Sequence, residues 1–295
     1  MNRRAGQVIK RTLLAFYDDQ MTHHAAALTY YSLMSLFPAL LIGLALLGLI
    51  GQYPDTYNSI IDYLRDVSPD STVQTIDAAL RQALQNKSGA ATALVVSVLL
   101  AFYGTTGVLE AARRALNVVF EADAGRSFLQ RKLVDIGSSI VLGLLVLATL
   151  ILVFVGGNLA EDILGVIGLG DTAAEVWRYV RWPAAFAIAM LVFSWVYFIT
   201  PDVEPRSFRW ITPGALAGVL VWIAASLAFS LYISNYGGIN ATYGSFAAAI
   251  ILIIWLWLTN VALLFGAELN AEIEREKEIA EGTPPEETLD LRDRG

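Results

Sequence analysis

Cysteine is absent from the chain, histidine occurs twice, and charged residues make up only 16% of it. Without cysteine there is no disulfide framework and no thiolate metal site, and cysteine usage marks no compartment. His23 and His24 are adjacent, so they lack the spacing of a zinc-binding HExxH helix. No GxxxxGK[ST] stretch occurs, which excludes ATP-driven pumping by this chain alone. Strict apolar–polar alternation, required of a lipid-facing barrel strand, is missing as well. The formal net charge is −7, a weak argument against nucleic acid as a partner, which needs a concentrated basic face. The opening MNRRAGQVIKRTLLAFYDDQM is basic but is interrupted by polar and acidic residues before any long apolar core. It does not read as a cleavable signal peptide.

What remains is largely apolar. Hydrophobic residues make up 56% of the chain, and charge falls well below the roughly 25% of a soluble domain. One soluble core cannot hold that excess, so a multi-spanning membrane protein is expected. Six runs are long enough to cross about 30 Å of hydrocarbon. They cover residues 25–50, 90–109 (helical on to 120), 133–155, 182–200, 212–234 and 246–269. The predicted fold class is therefore all-α: a polytopic membrane helical bundle of six transmembrane helices.

Lysine and arginine in alternate connections number fifteen against five, which places both termini in the cytoplasm. Three regions are expected. Residues 1–24 form an interfacial amphipathic helix, with Val8, Ile9, Leu13, Leu14 and Phe16 toward lipid and Arg3, Arg4, Lys10 and Arg11 toward headgroups. Residues 25–270 form the membrane domain, with two short outer amphipathic helices over 57–87. Residues 271–295 form an acidic tail, with nine acidic against four basic side chains, partly disordered.

Polar groups at membrane depth need partners, so they are the informative ones. In the first run Tyr30 and Ser35 lie beside Pro38, which frees a backbone carbonyl and suggests the broken helices that line transport sites. A proline kink satisfied by nearby hydroxyls is the plainer alternative. In the second run Tyr103, Thr106, Glu110, Arg113, Arg114 and Asn117 follow at helical spacing. Glu110 can pair with Arg113 or Arg114, as an anchoring ion pair or as a gate. GTTG (104–107) allows close helix approach, and Gly214 with Gly218 begins a stripe of small residues suited to packing. In the sixth run Asn260 needs a partner inside the bundle. Glu268 is a natural counter-ion for Arg113 or Arg114, and Asn270 shares the face of Asn260. His23 and His24 are interfacial anchors or pH sensors.

Three stretches together, AALTYYSLMSLFPALL, GTTGVLEAARRALNVVFE and GALAGVLVWIAASLAFSLYISNYGGINATYGSFAAAIILIIWLWLTNVALLFGAELNAE, resemble the YihY/BrkB family of bacterial inner-membrane proteins. The resemblance covers roughly residues 10–275 and leaves the acidic tail outside. It implies six transmembrane helices in the inner membrane, in agreement with the count above. Two functional labels come with the family: a virulence or serum-resistance factor, and ribonuclease BN. The second is read as mistaken, because a hydrolytic nuclease needs clustered metal ligands in a water-filled basic cleft.

The chain is accordingly expected to be no enzyme and to need no cofactor. Its partners are membrane lipids and a small solute or lipid-like substrate, with homo-oligomers left open. Tyr30, Ser35, Tyr103, Thr106, Glu110, Asn260 and Glu268 form the candidate lining of a permease, exporter or channel. Arg113, Arg114, Asn117 and Asn270 form a candidate gate. The alternative is a non-transporting envelope scaffold, whose centre would be filled with Leu, Val and Phe.

Overall fold

The computed structural model of the chain describes residues 2–50, 58, 61–62, 77, 81, 87–122, 125–154, 171–204, 212–235, 247–282 and 292–293. Almost all of these are helical. In chain order the elements are α1 (Asn2–Asp18), α2 (Met21–Ile50), α3 (Lys87–Val119), α4 (Phe128–Phe154), α5 (Asp171–Ile199), β1 (Val203–Glu204), α6 (Pro213–Asn235), α7 (Ala247–Glu281) and β2 (Arg292–Asp293). Two compact units result, one of Met1–Tyr30 with Leu109–Gly295 and one of Tyr31–Val108.

Local chemistry sets the helix ends. α1 stops where Gln20 takes a left-handed conformation, at φ 53°. The Gln20 carbonyl then accepts from His23 N–H at 2.8 Å and opens α2. Ser127 and Gln130 form a capping-box pair at the start of α4, with Gln130 Oε1 accepting from Ser127 N–H at 3.0 Å. Thr212 is the N-cap of α6, its Oγ1 accepting from Ala215 N–H at 3.0 Å, and Pro213 fills the first helical position, where no N–H is needed. At the end of α5, Arg126 Nη1 donates to Ile199 O at 3.0 Å, a cation on a helix C-terminus.

Among the described residues, five helical stretches are long and apolar enough to cross a membrane: Val95–Val119, Phe128–Thr149, Glu175–Ile199, Pro213–Asn235 and Ala249–Glu281. The run expected at 25–50 falls on α2, a 30-residue helix that continues unbroken through Pro38. α5 begins at Asp171 rather than at Trp182, because DTAAEVWRYVR is polar enough to leave the apolar count yet still helical. Of the amphipathic helices expected over 57–87, residues 58, 61, 62, 77 and 81 are helical, with Asp77 and Arg81 ion-paired at 3.1 Å; the rest lies outside the described residues. Residues 236–246 also lie outside them. In the tail, Val203 pairs with Asp293 and Glu204 with Arg292 in a two-residue antiparallel bridge, an exception to the all-α expectation.

Lipid tails are as apolar as leucine, so helices in a bilayer associate through close packing and hydrogen bonds rather than through the hydrophobic effect. The α6–α7 seam is built that way. Gly214 and Gly218 of α6 lie against Gly266 of α7 so closely that a Cβ on Gly218 would come 3.0 Å from Ala262 O. Farther along, Trp222 Nε1 donates to Thr259 Oγ1 at 3.0 Å and Trp255 Nε1 to Ser226 Oγ at 3.2 Å. The opposite face of α6 exposes Leu216, Leu220, Leu227 and Leu231, the pattern of a lipid-facing stripe. In the other unit, Gly104 approaches Ser35 and Gly107 approaches Tyr31, so GTTG does admit a close neighbour.

The larger unit closes on a packed core. Met21, Leu28, Ala115, Leu116, Val219, Leu264 and Ala267 are buried together with the Tyr197 ring. α1 lies along α7 with Val8 and Thr12 buried, Phe16 edge-on to Phe265 at 6.3 Å, and Ile9, Leu13 and Leu14 exposed.

Candidate functional site

The larger unit holds three polar groupings. The first is an ion network at the end of α3. Arg113 is buried and pairs with Asp135 of α4 and, at 3.0 Å, with Glu110. Asp202, in the link after α5, lies 3.8 Å from Arg113 Nε and from Arg126, and 3.9 Å from Arg131. Asn117 clamps Asp202 from both sides: its Nδ2 donates to Oδ2 at 3.0 Å and its Oδ1 accepts from the Asp202 N–H at 2.9 Å. Three guanidiniums and three carboxylates therefore meet, with Asp135 and Asp202 each 1% exposed. Charge balance of this kind is what allows ionised groups to be buried.

The second grouping is the neutral polar face of α7. Asn260 is buried and donates through Nδ2 to Thr29 Oγ1 on α2 at 3.1 Å; that hydroxyl donates in turn to Ala25 O at 2.7 Å. Tyr197 of α5 donates to Leu263 O at 2.6 Å. Asn270 bridges to the start of α6, accepting from Gly214 N–H at 2.8 Å and donating to Thr212 Oγ1 at 2.9 Å. It thus satisfies a backbone donor that the first helical turn leaves open.

The third grouping is acidic. Glu268 of α7 is 1% exposed, and its Oε1 has no hydrogen-bond partner. Asp19, in the α1–α2 turn, is a charged neighbour of it. Burial raises the Asp19 carboxyl from its ordinary value; the Glu268 carboxyl beside it opposes this, while Glu121 and Asp18 add to it. His24 is pushed down by burial, against the pull of Asp19. Alongside, Arg11 grips Glu272 at 2.8 Å and Glu276 at 2.6 Å, and Arg275 pairs with Glu121.

Several expectations are corrected here. Glu268 is not the counter-ion of Arg113 or Arg114: Arg113 is taken by Asp135, Glu110 and Asp202, Arg114 by Glu110 at 3.2 Å, and Glu268 faces another acid. Asn260 and Asn270 share a helix face but not a partner, one serving α2 and the other α6. Arg275, beyond the sixth run, pairs with Glu121, just after α3. Arg113 and Asn117 belong to one network, whereas Arg114 stays exposed.

The candidate lining is divided between the two units. Ser35, which donates to Ser32 O at 2.9 Å, Thr106, which donates to Tyr103 O at 2.9 Å, and exposed Tyr103 belong to the smaller unit. Tyr30, Glu110, Asn260 and Glu268 belong to the larger. Asp19, Asp135, Tyr197 and Asp202 went unnoticed in the sequence. An acid inside the apolar run at 133–155 was a usable signal for Asp135; Asp202, in a short link, gave none.

Membrane-length apolar helices, lipid-style glycine seams and internally paired polar groups define a polytopic helical membrane protein. The chain belongs to the Virulence factor BrkB family, which it matches over residues 12–290; the match takes in most of the acidic tail, contrary to the expectation that the tail lies outside. It is 30% identical over 263 residues to the "Putative ribonuclease-like protein YfkH" of Bacillus subtilis, covering 88% of this chain and 92% of that one. It is 27% identical over 272 residues to the "UPF0761 membrane protein PSHAa0171" of Pseudoalteromonas translucida, covering 90% and 85%. With a UPF0761 membrane protein of Halorhodospira halophila it shares 25% identity over 257 residues, covering 86% of this chain and 54% of the relative. No solved structure matches.

Proposed function

We propose that the chain is a six-span inner-membrane permease, exporter or channel for a small solute or lipid-like substrate, with both termini in the cytoplasm. One observation carries this reading: Glu268, a carboxyl on a membrane-length helix, is buried with one oxygen unpartnered. An ionisable group held inside a membrane bundle is costly and marks a functional path by default. The orientation is supported by the gathering of α1, the 110–132 connection, the link after α5 and the end of α7 through ion pairs and hydrogen bonds. Together these connections carry fifteen Lys and Arg against five in the others.

The reading is non-enzymatic. "Ribonuclease-like" remains a word in the name of the Bacillus subtilis relative.

A second reading, a non-transporting envelope scaffold, is favoured by the packed Leu, Val, Ala and Phe core of the larger unit. Liposome flux separates the two. Across a panel of organic acids, amines, sugars and short-chain lipids, the reconstituted protein should pass at least one solute. Asn260→Leu, which removes the bond to the Thr29 hydroxyl, should slow that flux by about tenfold, the equivalent of ~1.4 kcal/mol on a barrier. Flux matching that of empty liposomes across the whole panel would transfer the conclusion to the scaffold.

A further inference from the structure

α5 opens with DTAAEVWRYVRW, a polar stretch at the head of a membrane-length helix. Its far end is fixed, since Ile199 O accepts from Arg126 beside the buried ion network. At about 1.5 Å per residue, Arg178 lies roughly 32 Å of helix from Ile199, close to the thickness of the hydrocarbon. Arg178 and Arg181 therefore stand at the membrane boundary opposite the network. Around them Val176, Tyr179, Val180 and Trp182 are all exposed, a face suited to lipid, with Tyr and Trp in the place of an interfacial belt. The guanidiniums are the unusual feature. Among the described residues neither Arg178 nor Arg181 has a carboxylate partner. Glu175, one turn before Arg178, is exposed and makes no ion pair with it. Arg181 is stacked on Trp182, 4.9 Å from the ring centroid, and its Nε is buried with no hydrogen-bond partner. By contrast Arg11, Arg113, Arg114 and Arg275 each meet a carboxylate. Arg178 and Arg181 are three apart on one helix, so their like charges are neighbours and repel.

We propose that the head of α5 binds an anionic phospholipid, its phosphate held between Arg178 and Arg181 and its acyl chains lying against Val180 and the Trp182 ring. A phosphate accepts from two guanidiniums at once and cancels their repulsion. Arg181 reaches it along the Trp182 face, its stem in hydrocarbon and its charge at the surface. A zwitterionic lipid offers the same phosphate but brings its own cation, which competes with the arginines. A free phosphate ion has no chains to cover the exposed apolar side chains. The site is independent of the permease reading: none of its residues belongs to the candidate lining, and its test reads lipid retention rather than flux, so either can fail alone.

The test is native mass spectrometry of the full chain, delipidated in detergent and then titrated with phosphatidylglycerol or with phosphatidylcholine. The wild type should hold its first phosphatidylglycerol about tenfold more tightly than phosphatidylcholine, because each surface arginine favours an anionic lipid severalfold. Arg178→Gln/Arg181→Gln should remove that preference. Lys277→Gln, which removes a cation paired with Glu274 on α7, should keep it. Arg181→Lys, which retains the charge but loses the planar fork and the stacking, should fall between the two. Should the double variant not fold, Arg178→Gln, at an exposed position, carries the measurement. An excess of inorganic phosphate should leave the lipid bound. Equal retention of the two lipids by the wild type, an unchanged preference in the arginine variants, an equal loss in Lys277→Gln, or release by phosphate overturns the proposal.

Discussion

Replacing Arg113 by methionine should destabilise the protein by about 3–5 kcal/mol, the range for removing one partner from a buried ion pair. Arg113 is 2% exposed and is the cation paired with Asp135, itself 1% exposed. Methionine fills the space and leaves the Asp135 carboxylate in a membrane-length helix without its paired cation. Asp202 suffers less, because Arg126, Arg131 and the Asn117 clamp remain. The double variant Arg113→Met/Asp135→Asn should therefore recover more than half of the loss. Reversible unfolding in mixed micelles, followed for both variants, checks this. A single variant as stable as wild type would mean that the network is solvated rather than buried.

The second large effect concerns the α6–α7 seam. Gly214→Val should cost at least about 3 kcal/mol, at or beyond the upper end of overpacking penalties. The obstacle is backbone: the new Cβ would collide with the Gly266 carbonyl and with the Asn270 side chain. A carbonyl inside a helix cannot rotate away as a flexible side chain can. Separation of the helices would also break the bond from Gly214 N–H to Asn270 Oδ1. Gly137 of α4 is the control, since nothing lies within 4 Å of a Cβ placed there. Gly137→Ala should be neutral or stabilising by up to about 1 kcal/mol, the helix-propensity difference. Thermal midpoints of the two variants, measured side by side, decide the point.

Apolar run length located α3, α4, α6 and α7 well because a helix crossing hydrocarbon has to be continuous, and α6 carried its packing face openly as Gly214 and Gly218. The start of α5 was missed because Arg178 and Arg181 are too polar for an apolar count, although a helix tolerates them at a membrane boundary. Asn260 announced its need for a partner, and Thr29 supplies it. Glu268 announced the same need, but sequence spacing could not say whether an arginine or another acid would face it. That depended on the α1–α2 turn folding back onto α7, a contact between residues far apart in the chain. Asp202 was illegible for a similar reason: its role arises from where the link after α5 comes to rest beside Asn117.

The central claim is that the polar side chains of α7 point into the protein and meet named partners there. The absence of cysteine makes a direct measurement clean. In membranes, the double variant Thr29→Cys/Asn260→Cys should be joined rapidly and nearly completely by a short thiol-bridging reagent, because the two native side chains are 3.1 Å apart. The pair Thr29→Cys/Leu227→Cys, with Leu227 on the exposed face of α6, should not be. Equal joining of both pairs, or none at Thr29 and Asn260, would contradict the account.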